Sequence, residues 1–345
     1  MATRPATGEV REPLSTRDPA SADGRVALEA VLADALGAPV RIHDVVALSG
    51  GANSATWRLD TGADGTGQRF IFQRSANGLG LPRRVQAEVM RRAGALGVPV
   101  PPVVAVPAPE TGLGDSVVTG FVEGEALAPR WLRDDRFAAA RAVLPGQIGA
   151  ALARLHATPP SHWADLPLTG GSGAELLASM FATYRRIGVD VPAFDLAFAW
   201  LRPRMPDRAP TCLVHGDFRA GNFLVASDGL AAVLDWELPH LSVPEEDLGW
   251  LCVQAWRFGA WQMPVGGFAT REALLAAYRA AGGTVDPGSL WTWEVFGNLK
   301  WGMSCLQLAD DYVSGRVPSV ERAAIGRRVS EVAADLVHAI ARGDL

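Results

Sequence analysis

The sequence predicts an α+β protein of two lobes, a small, mostly antiparallel sheet followed by a larger, mainly helical lobe. Three observations predict it. Turn-rich, strand-like segments crowd the first 120 or so residues, whereas from about residue 133 apolar residues recur at helical spacing. Inside that helical half lies one strand-turn-strand unit, CLVHGD through NFLVASDGLAAVLDWE. Finally, 345 residues exceed a usual single domain and supply ample material for a core.

Taken in order, residues 1–24 are rich in Pro, Ser, Thr, Gly and mixed charge, and read as a disordered tail. They contain no apolar stretch of the kind a secretory signal needs. A helix follows in GRVALEAVLADALG, where Val26, Leu28, Val31, Leu32 and Leu36 fall at helical spacing. A strand is expected near Val45 to Leu48, and SGGANSATWRLDTGADGTGQRFIFQRS reads as a β-hairpin with a Gly/Asp-rich turn. RRVQAEVMRRAGALG is a helix carrying Glu88 among arginines. VPVPPVVAVPAP has too many prolines for a helix interior and should be extended. SVVTGFVEGEAL supplies a further short strand. The first lobe therefore spans residues 25–122 and the second 123–345. In the second, helices are expected in FAAARAVLPGQIGAALARLHATPP, GAELLASMFATYRRIG, LGWLCVQAWRFG, TREALLAAYRAAGG, SLWTWEVFGNLKWGMSCLQLADDYVSG and VERAAIGRRVSEVAADLVHAIARG.

Composition narrows the classes of function. A net charge of −5 offers no basic footprint for nucleic acid. No apolar run approaches the roughly 18 to 20 residues that span a bilayer. Cys212, Cys252 and Cys305 lie far apart in apolar surroundings without metal-ligand spacing, so each reads as a buried reduced thiol. A cytosolic protein with no membrane partner is expected; the oligomeric state is not legible.

The chemistry concentrates in CLVHGDFRAGNFLVASDGLAAVLDWELPH. Asp217 is followed five residues later by Asn222, and Asp235 returns across a hairpin whose turn is at SDG. A carboxylate, an amide and a second carboxylate brought to one end of a hairpin form a hard-oxygen site suited to Mg²⁺. Phosphoryl transfer requires such a set: one acid to accept the hydroxyl proton, and oxygen ligands to hold metal against nucleotide phosphates. Protein kinases carry the same parts as H-R-D, an Asn five residues on, and D-F-G on the next strand. The alternative is that Asp217 and Asn222 cap turns and Asp235 ends a strand.

With VHGDFRAGNFLV, VLDWELPHL, EEDLGWLCVQAWRFG and WEVFGNLKWG, the chain resembles the aminoglycoside phosphotransferase and choline kinase-like superfamily. More narrowly it resembles the branch related to kinase domains attached to some acyl-CoA dehydrogenases. The resemblance covers about residues 25 to 340 and implies a bilobal protein-kinase-like fold using ATP and Mg²⁺. It makes Asp217 the base that deprotonates the acceptor hydroxyl, and Asn222 and Asp235 the Mg²⁺ ligands. Arg219 becomes the cation that neutralises charge on the transferring phosphoryl group. His215 would brace the loop, Asp228 is turn material, and Glu237 stays unassigned.

The resemblance also places nucleotide parts in the first lobe. LSGGANSATW suits a loop over the phosphates, with Gly50 and Gly51 allowing close backbone approach and Asn53 or Ser54 hydrogen-bonding phosphate. RFIFQRS should supply the phosphate-pairing cation, but it has no lysine. Gln73 or Arg74 occupies the region; Arg74, partnered by Glu88, can carry the charge, and a one-residue register decides between them. VVTGFVEGEAL would be the hinge that reads adenine through the Gly120 carbonyl and the Val122 amide.

The acceptor is a small hydroxylated molecule expected on the helical lobe. Residues 245–312 hold six of the chain's eleven tryptophans, Trp256, Trp261 and Trp301 among them, which indicates a partly apolar cleft. Arg257 and Lys300 within these segments suit an anionic acceptor such as a hydroxyacyl-CoA. Glu245, Glu246, Asp310 and Asp311 would instead suit a polycationic aminoglycoside. A reading of another class is a non-catalytic nucleotide-binding pseudokinase, supported by the missing strand lysine.

Overall fold

The first regular element starts where the sequence offers a cap. Ser21 accepts the Gly24 amide, and α1 runs Ala22–Leu36 until Gly37 takes the left-handed conformation that ends it. The computed structural model describes residues 16–48, 54–62, 67–75 and 80–342. The expected tail runs too far: α1 begins inside it, and the Arg17 amide donates to the Gly112 carbonyl at 2.9 Å. The chain divides into two units, Met1–Ala87 with Val103–Phe121, and Glu88–Pro102 with Val122–Leu345.

The first unit contains β1 (Asp44–Leu48), β2 (Ser54–Asp60) and β3 (Arg69–Ser75), then the start of α2 (Arg83–Ala95), then β4 (Val103–Ala105) and β5 (Ser116–Gly120). The strands form one antiparallel sheet in the order β1-β2-β3-β5-β4. Strand alternation sends Leu59, Phe70, Phe72 and Val118 to one face, where they pack with Leu28 and Leu32 of α1. The neighbouring positions Thr56, Gln73 and Val117 pair across β2, β3 and β5 on the other face.

The second unit is mainly helical: α3 (Ala128–Arg133), α4 (Ala138–His156), α5 (Gly173–Ile187) and α6 (Pro192–Leu201). Four short strands come next, β6 (Cys212–Val214), β7 (Phe223–Ala226), β8 (Gly229–Val233) and β9 (His240–Ser242). The chain then forms α7 (Pro244–Leu251), α8 (Arg271–Ala280), α9 (Pro287–Val313), α10 (Val320–Gly326) and α11 (Val329–Arg342). Its core joins Tyr184, Phe194, Phe198, Trp293, Phe296, Leu299 and Leu336 from α5, α6, α9 and α11. Cys212, Cys252 and Cys305 are buried and free. Among the described residues, no helix is long and apolar enough to cross a membrane.

Three elements differ from expectation. VERAAIGRRVSEVAADLVHAIARG divides into α10 and α11, because the Arg327 and Arg328 amides turn back onto the Ala323 and Ile325 carbonyls. The β7–β8 hairpin forms, but β6 pairs instead with β9, a three-residue strand too short and polar for its pattern to stand out. LGWLCVQAWRFG is not one helix. The amides of Cys252 and Val253 tighten onto carbonyls three residues back, and the Arg257 guanidinium then takes the Cys252 carbonyl at 2.7 Å.

Candidate active site

The loop that follows β6 is built by capping its backbone with buried charge. Gly216 has φ 78°, and a Cβ there would come within 2.3 Å of the Leu238 carbonyl oxygen, so only glycine fits. Asp247 of α7, fully buried, accepts the His215 amide at 2.7 Å and the Gly216 amide at 2.9 Å. His156 Nε2 reaches the same carboxylate at 3.2 Å, while its Nδ1 lies 3.0 Å from the Tyr278 hydroxyl. Burial alone would raise the Asp247 pKa, but these donors hold it below the ordinary carboxylate value. Lys300 Nζ donates to the Gly216 carbonyl at 2.9 Å and pairs with Glu246 at 3.0 Å. Glu246 also accepts the Ser242 hydroxyl and contacts His240, which together outweigh its burial and keep it ionised.

His215 braces the loop. Its Nε2 donates to the Leu234 carbonyl at 3.1 Å, and Nδ1 accepts the Asp217 amide at 3.2 Å. Burial pushes its pKa down despite the nearby carboxylates, which suits the neutral ring these two bonds require.

The Asp217 carboxylate that emerges from this loop receives three side chains. Trp250 Nε1 donates to Oδ1 at 2.8 Å, Asn222 Nδ2 donates to Oδ2 at 2.7 Å, and Arg219 Nε spans both oxygens at 3.0 and 3.2 Å. With Nδ2 committed to Asp217, the amide oxygen of Asn222 is the end left to meet a cation. The Asn222 carbonyl accepts the Leu234 amide at 2.8 Å, so the hairpin returns Asp235 beside it. Asp235 is exposed and holds φ 64°, a left-handed backbone that aspartate tolerates better than most residues. Among the described residues no cluster of three His, Cys, Asp or Glu could hold a metal. An amide oxygen and one exposed carboxylate are nevertheless a donor set that fits Mg²⁺, which takes the rest of its shell from water and phosphates.

The expected nucleotide residues divide. Gly50, Gly51 and Asn53 lie outside the described residues. Ser54 is described, at the start of β2, and the Arg83 guanidinium bonds its hydroxyl. Arg74 requires correction as the phosphate cation. It shares the face of Phe70 and Phe72, its Nη1 donates to the Arg17 carbonyl at 2.7 Å, and its guanidinium lies 5.2 Å from the Trp57 ring centre. Gln73 takes the opposite face, because strand side chains alternate. Glu88 is engaged within its own helix by Arg92 at 2.9 Å and Arg91 at 3.7 Å. Gly120 closes β5, and Val122 opens the next segment of the second unit.

The acceptor candidates also sort by partner. Arg257 is spent on Glu294 at 2.7 Å, a carboxylate it shares with Arg271, and Lys300 on Glu246 and the loop. Neither is the free cation that the sequence led us to expect. Trp256 is buried, with its ring 4.7 Å from the Arg219 guanidinium, 5.2 Å from Trp250 and 4.9 Å from Trp301. Trp261, 62% exposed, lines a cavity of about 510 Å³ with Gln254, Arg257, Ala334, Asp335 and His338. The four acids are paired too: Glu245 with Arg208, Glu246 with Lys300, Asp310 with Arg316, and Asp311 with Arg316 and Arg322. Sequence reasoning missed Asp247, Trp250 and Arg83 as site residues. The run EEDLGW beside the hairpin was the available signal for the first two.

Asp335 in that cavity carries its own prediction. Burial, helped by Glu331, pushes its pKa up to about 6. Its folded-state pKa is thus above its unfolded value, so this group favours the fold at low pH and opposes it as pH rises through about 6. Asp335→Asn should therefore raise Tm at pH 7.5, and the gain should vanish by about pH 4, below the ordinary aspartate range. Thermal melts of both proteins across this range check it.

Comparison with known proteins follows the same line. Acyl-CoA dehydrogenase family member 11 of Gallus gallus is 27% identical over 218 residues, covering 59% of this chain and 27% of that protein. Family member 10 of Mus musculus is 38% identical over 65 residues, covering 18% and 6%. The chain thus spans about a quarter or less of these relatives' lengths. Among solved structures, a candidate aminoglycoside phosphotransferase of Ralstonia eutropha matches with TM-score 0.68 at 19% identity, over 92% of this chain and 98% of that one. A choline/ethanolamine kinase family protein of Mesorhizobium loti matches with TM-score 0.58 at 21% identity, over 85% and 88%. These structures share the kinase-like fold, a small antiparallel sheet with a largely helical remainder. The model of the phosphotransferase enzyme family matches residues 44–289, more than half of the chain and the whole Asp217–Asn222–Asp235 constellation, and the chain therefore belongs to the phosphotransferase enzyme family.

Proposed function

We propose that the protein transfers the γ-phosphoryl group of ATP to a hydroxyl of a small molecule, with Mg²⁺ as cofactor. One observation carries the reading: an oriented Asp217 carboxylate beside Asn222, with an exposed Asp235 returned by the hairpin. Asp217 takes the acceptor hydroxyl proton as the oxygen attacks phosphorus. Arg219, on the same carboxylate, is placed to turn toward charge developing on the phosphoryl oxygens. Mg²⁺, when bound by Asn222 and Asp235, supplies neutralisation of the phosphates. At the start of α2, Arg83, whose guanidinium bonds Ser54 of β2, is the cation we assign to nucleotide phosphate in place of the missing strand lysine.

For the acceptor we favour a hydroxyacyl-CoA or another anionic or apolar alcohol. The sequence likeness to acyl-CoA dehydrogenase family members supports it, as does the tryptophan wall beside Arg219. An aminoglycoside-type antibiotic is the runner-up, as aminoglycoside and choline kinase-type folds are similar to this one. Against it, the acids suited to a polycation are all paired within the fold. ADP release measured over hydroxyacyl-CoAs, aminoglycosides and simple alcohols decides the matter. Efficient transfer to an aminoglycoside would overturn the substrate preference. ATP binding without transfer to any acceptor would favour the pseudokinase.

Asp235→Asn tests the metal assignment. It preserves size and backbone preference but removes the charge, so Mg·ATP affinity should fall about tenfold, the equivalent of about 1.4 kcal/mol. Metal-free ATP affinity should stay within about twofold, since no metal contact is lost there. Calorimetric titration with and without Mg²⁺ separates the two.

A further inference from the structure

A buried indole N–H on the candidate base is not a routine result of packing tryptophan. Five other described tryptophans, Trp131, Trp256, Trp291, Trp293 and Trp301, bury their Nε1 without a hydrogen-bond partner. Trp250 instead spends its N–H on Asp217 Oδ1 at 2.8 Å. The ring has little freedom to leave: it is 4% exposed, Trp256 packs at 5.2 Å, and Lys300 Nζ lies 4.8 Å from its ring centre. Its helix is also fixed to the loop, because Asp247, three residues earlier, holds the His215 and Gly216 amides.

A carboxylate offers about four lone-pair sites, two on each oxygen. On Asp217, Trp250 and the shorter Arg219 contact occupy Oδ1, whereas Oδ2 receives Asn222 and only the longer Arg219 contact. We propose that Trp250 is a positioning residue that, opposite Asn222 on Oδ2, fixes the Asp217 carboxylate plane for the proton of the acceptor hydroxyl. The inference rests on the phosphotransferase reading above. When Arg219 turns to the transferring phosphoryl group, Trp250 is the donor that remains on Oδ1. The acceptor O–H then gives its proton to the carboxylate site that Arg219 vacates while the acceptor oxygen bonds to the γ-phosphorus. The bond from that phosphorus to the β–γ bridging oxygen breaks, ADP leaves with the electron pair, and Asp217 later returns its proton to water.

Trp250→Phe removes the N–H and keeps an aromatic ring against Trp256 and Lys300. Turnover is read as ADP release from Mg·ATP, with water as acceptor and with any alcohol found in the panel. We expect kcat to fall about tenfold while the KM for ATP stays within about twofold, the pattern of an interaction that matters only in the transition state. Trp293→Phe, which removes a buried indole N–H lacking a partner, should leave kcat unchanged. Independently of turnover, the Trp250 indole N–H resonance, identified by its loss in Trp250→Phe, should move on Asp217→Asn more than any other indole signal.

The results separate. An unchanged kcat in Trp250→Phe, in an enzyme that Asp217→Asn inactivates, overturns the positioning role and leaves the function standing. A Trp250→Phe protein with weakened ATP binding in step with kcat also overturns it, because that marks general damage. A wild-type protein that binds ATP but turns over with neither water nor any alcohol overturns the function and this role together. An indole signal that ignores Asp217→Asn removes the hydrogen bond itself.

Discussion

Asp217→Asn should reduce kcat by about 10³-fold, within the range expected for loss of a positioned general base, while the dissociation constant for Mg·ATP stays nearly unchanged. The substitution is close in size and retains an oxygen for Trp250 and Arg219, so the loop should keep its shape. It removes the carboxylate proposed to accept the proton. Steady-state ADP release gives the first quantity and calorimetry the second. A protein that loses nucleotide affinity in proportion to kcat would show that Asp217 serves binding, contrary to its proposed separation from Asn222 and Asp235.

Asp247→Ala should be the most damaging substitution to the fold of the second unit. Its carboxylate satisfies the amides of His215 and Gly216 and the ring of His156, all in buried surroundings. Alanine leaves these donors without an acceptor and opens a small cavity, a loss of about 3–5 kcal/mol if it behaves like other broken buried networks. Chemical denaturation measures the loss. Asp247→Asn supplies a milder comparison, since its amide keeps one acceptor oxygen, and it should retain more stability than the alanine protein. Equal stability of wild type and Asp247→Ala would contradict the bracing role.

The sequence made some of this site legible and hid the rest for identifiable reasons. Asp217, Asn222 and Asp235 lie within 19 positions of one another, joined by a hairpin whose turn chemistry is local, so their convergence follows from short-range rules. Asp247 and Trp250 meet the same loop from α7, across about 30 residues, and Lys300 from α9 across more than 80. No periodicity reports contacts of that range. Arg74 and Gln73 differ by one step of a strand, and only pairing with β2 and β5 shows that Phe70 and Phe72 draw Arg74 to the α1 face. Charge presents the same difficulty. Arg257, Lys300, Glu246 and Asp311 look available in a linear sequence, yet each is neutralised by a residue distant in the chain or across a turn.

The fold class was the more accessible part because it depends on pattern rather than partner. The β2–β3 hairpin, the extended proline-rich segment and the long helices all appear where apolar spacing and turn residues place them. The break after Leu251 is instructive by contrast. Apolar spacing continued through LGWLCVQAWRFG, but a guanidinium from Arg257 took a carbonyl that a continuing helix would have used. A side chain competed with the backbone, and spacing does not register that.

The left-handed backbone of Asp235 bears on how this enzyme can drift. A β-branched or bulky residue there meets a steric cost of about 1–2 kcal/mol before any ligand is considered, whereas Gly, Asn and Asp meet little. Of those three, only aspartate brings a negative charge to this end of the hairpin. Under the proposed metal role, two unrelated selections, one on chain geometry and one on cation affinity, thus act on a single codon. A lineage that abandoned catalysis would still be held to asparagine or glycine at this position, and either residue there would be a readable mark of that loss.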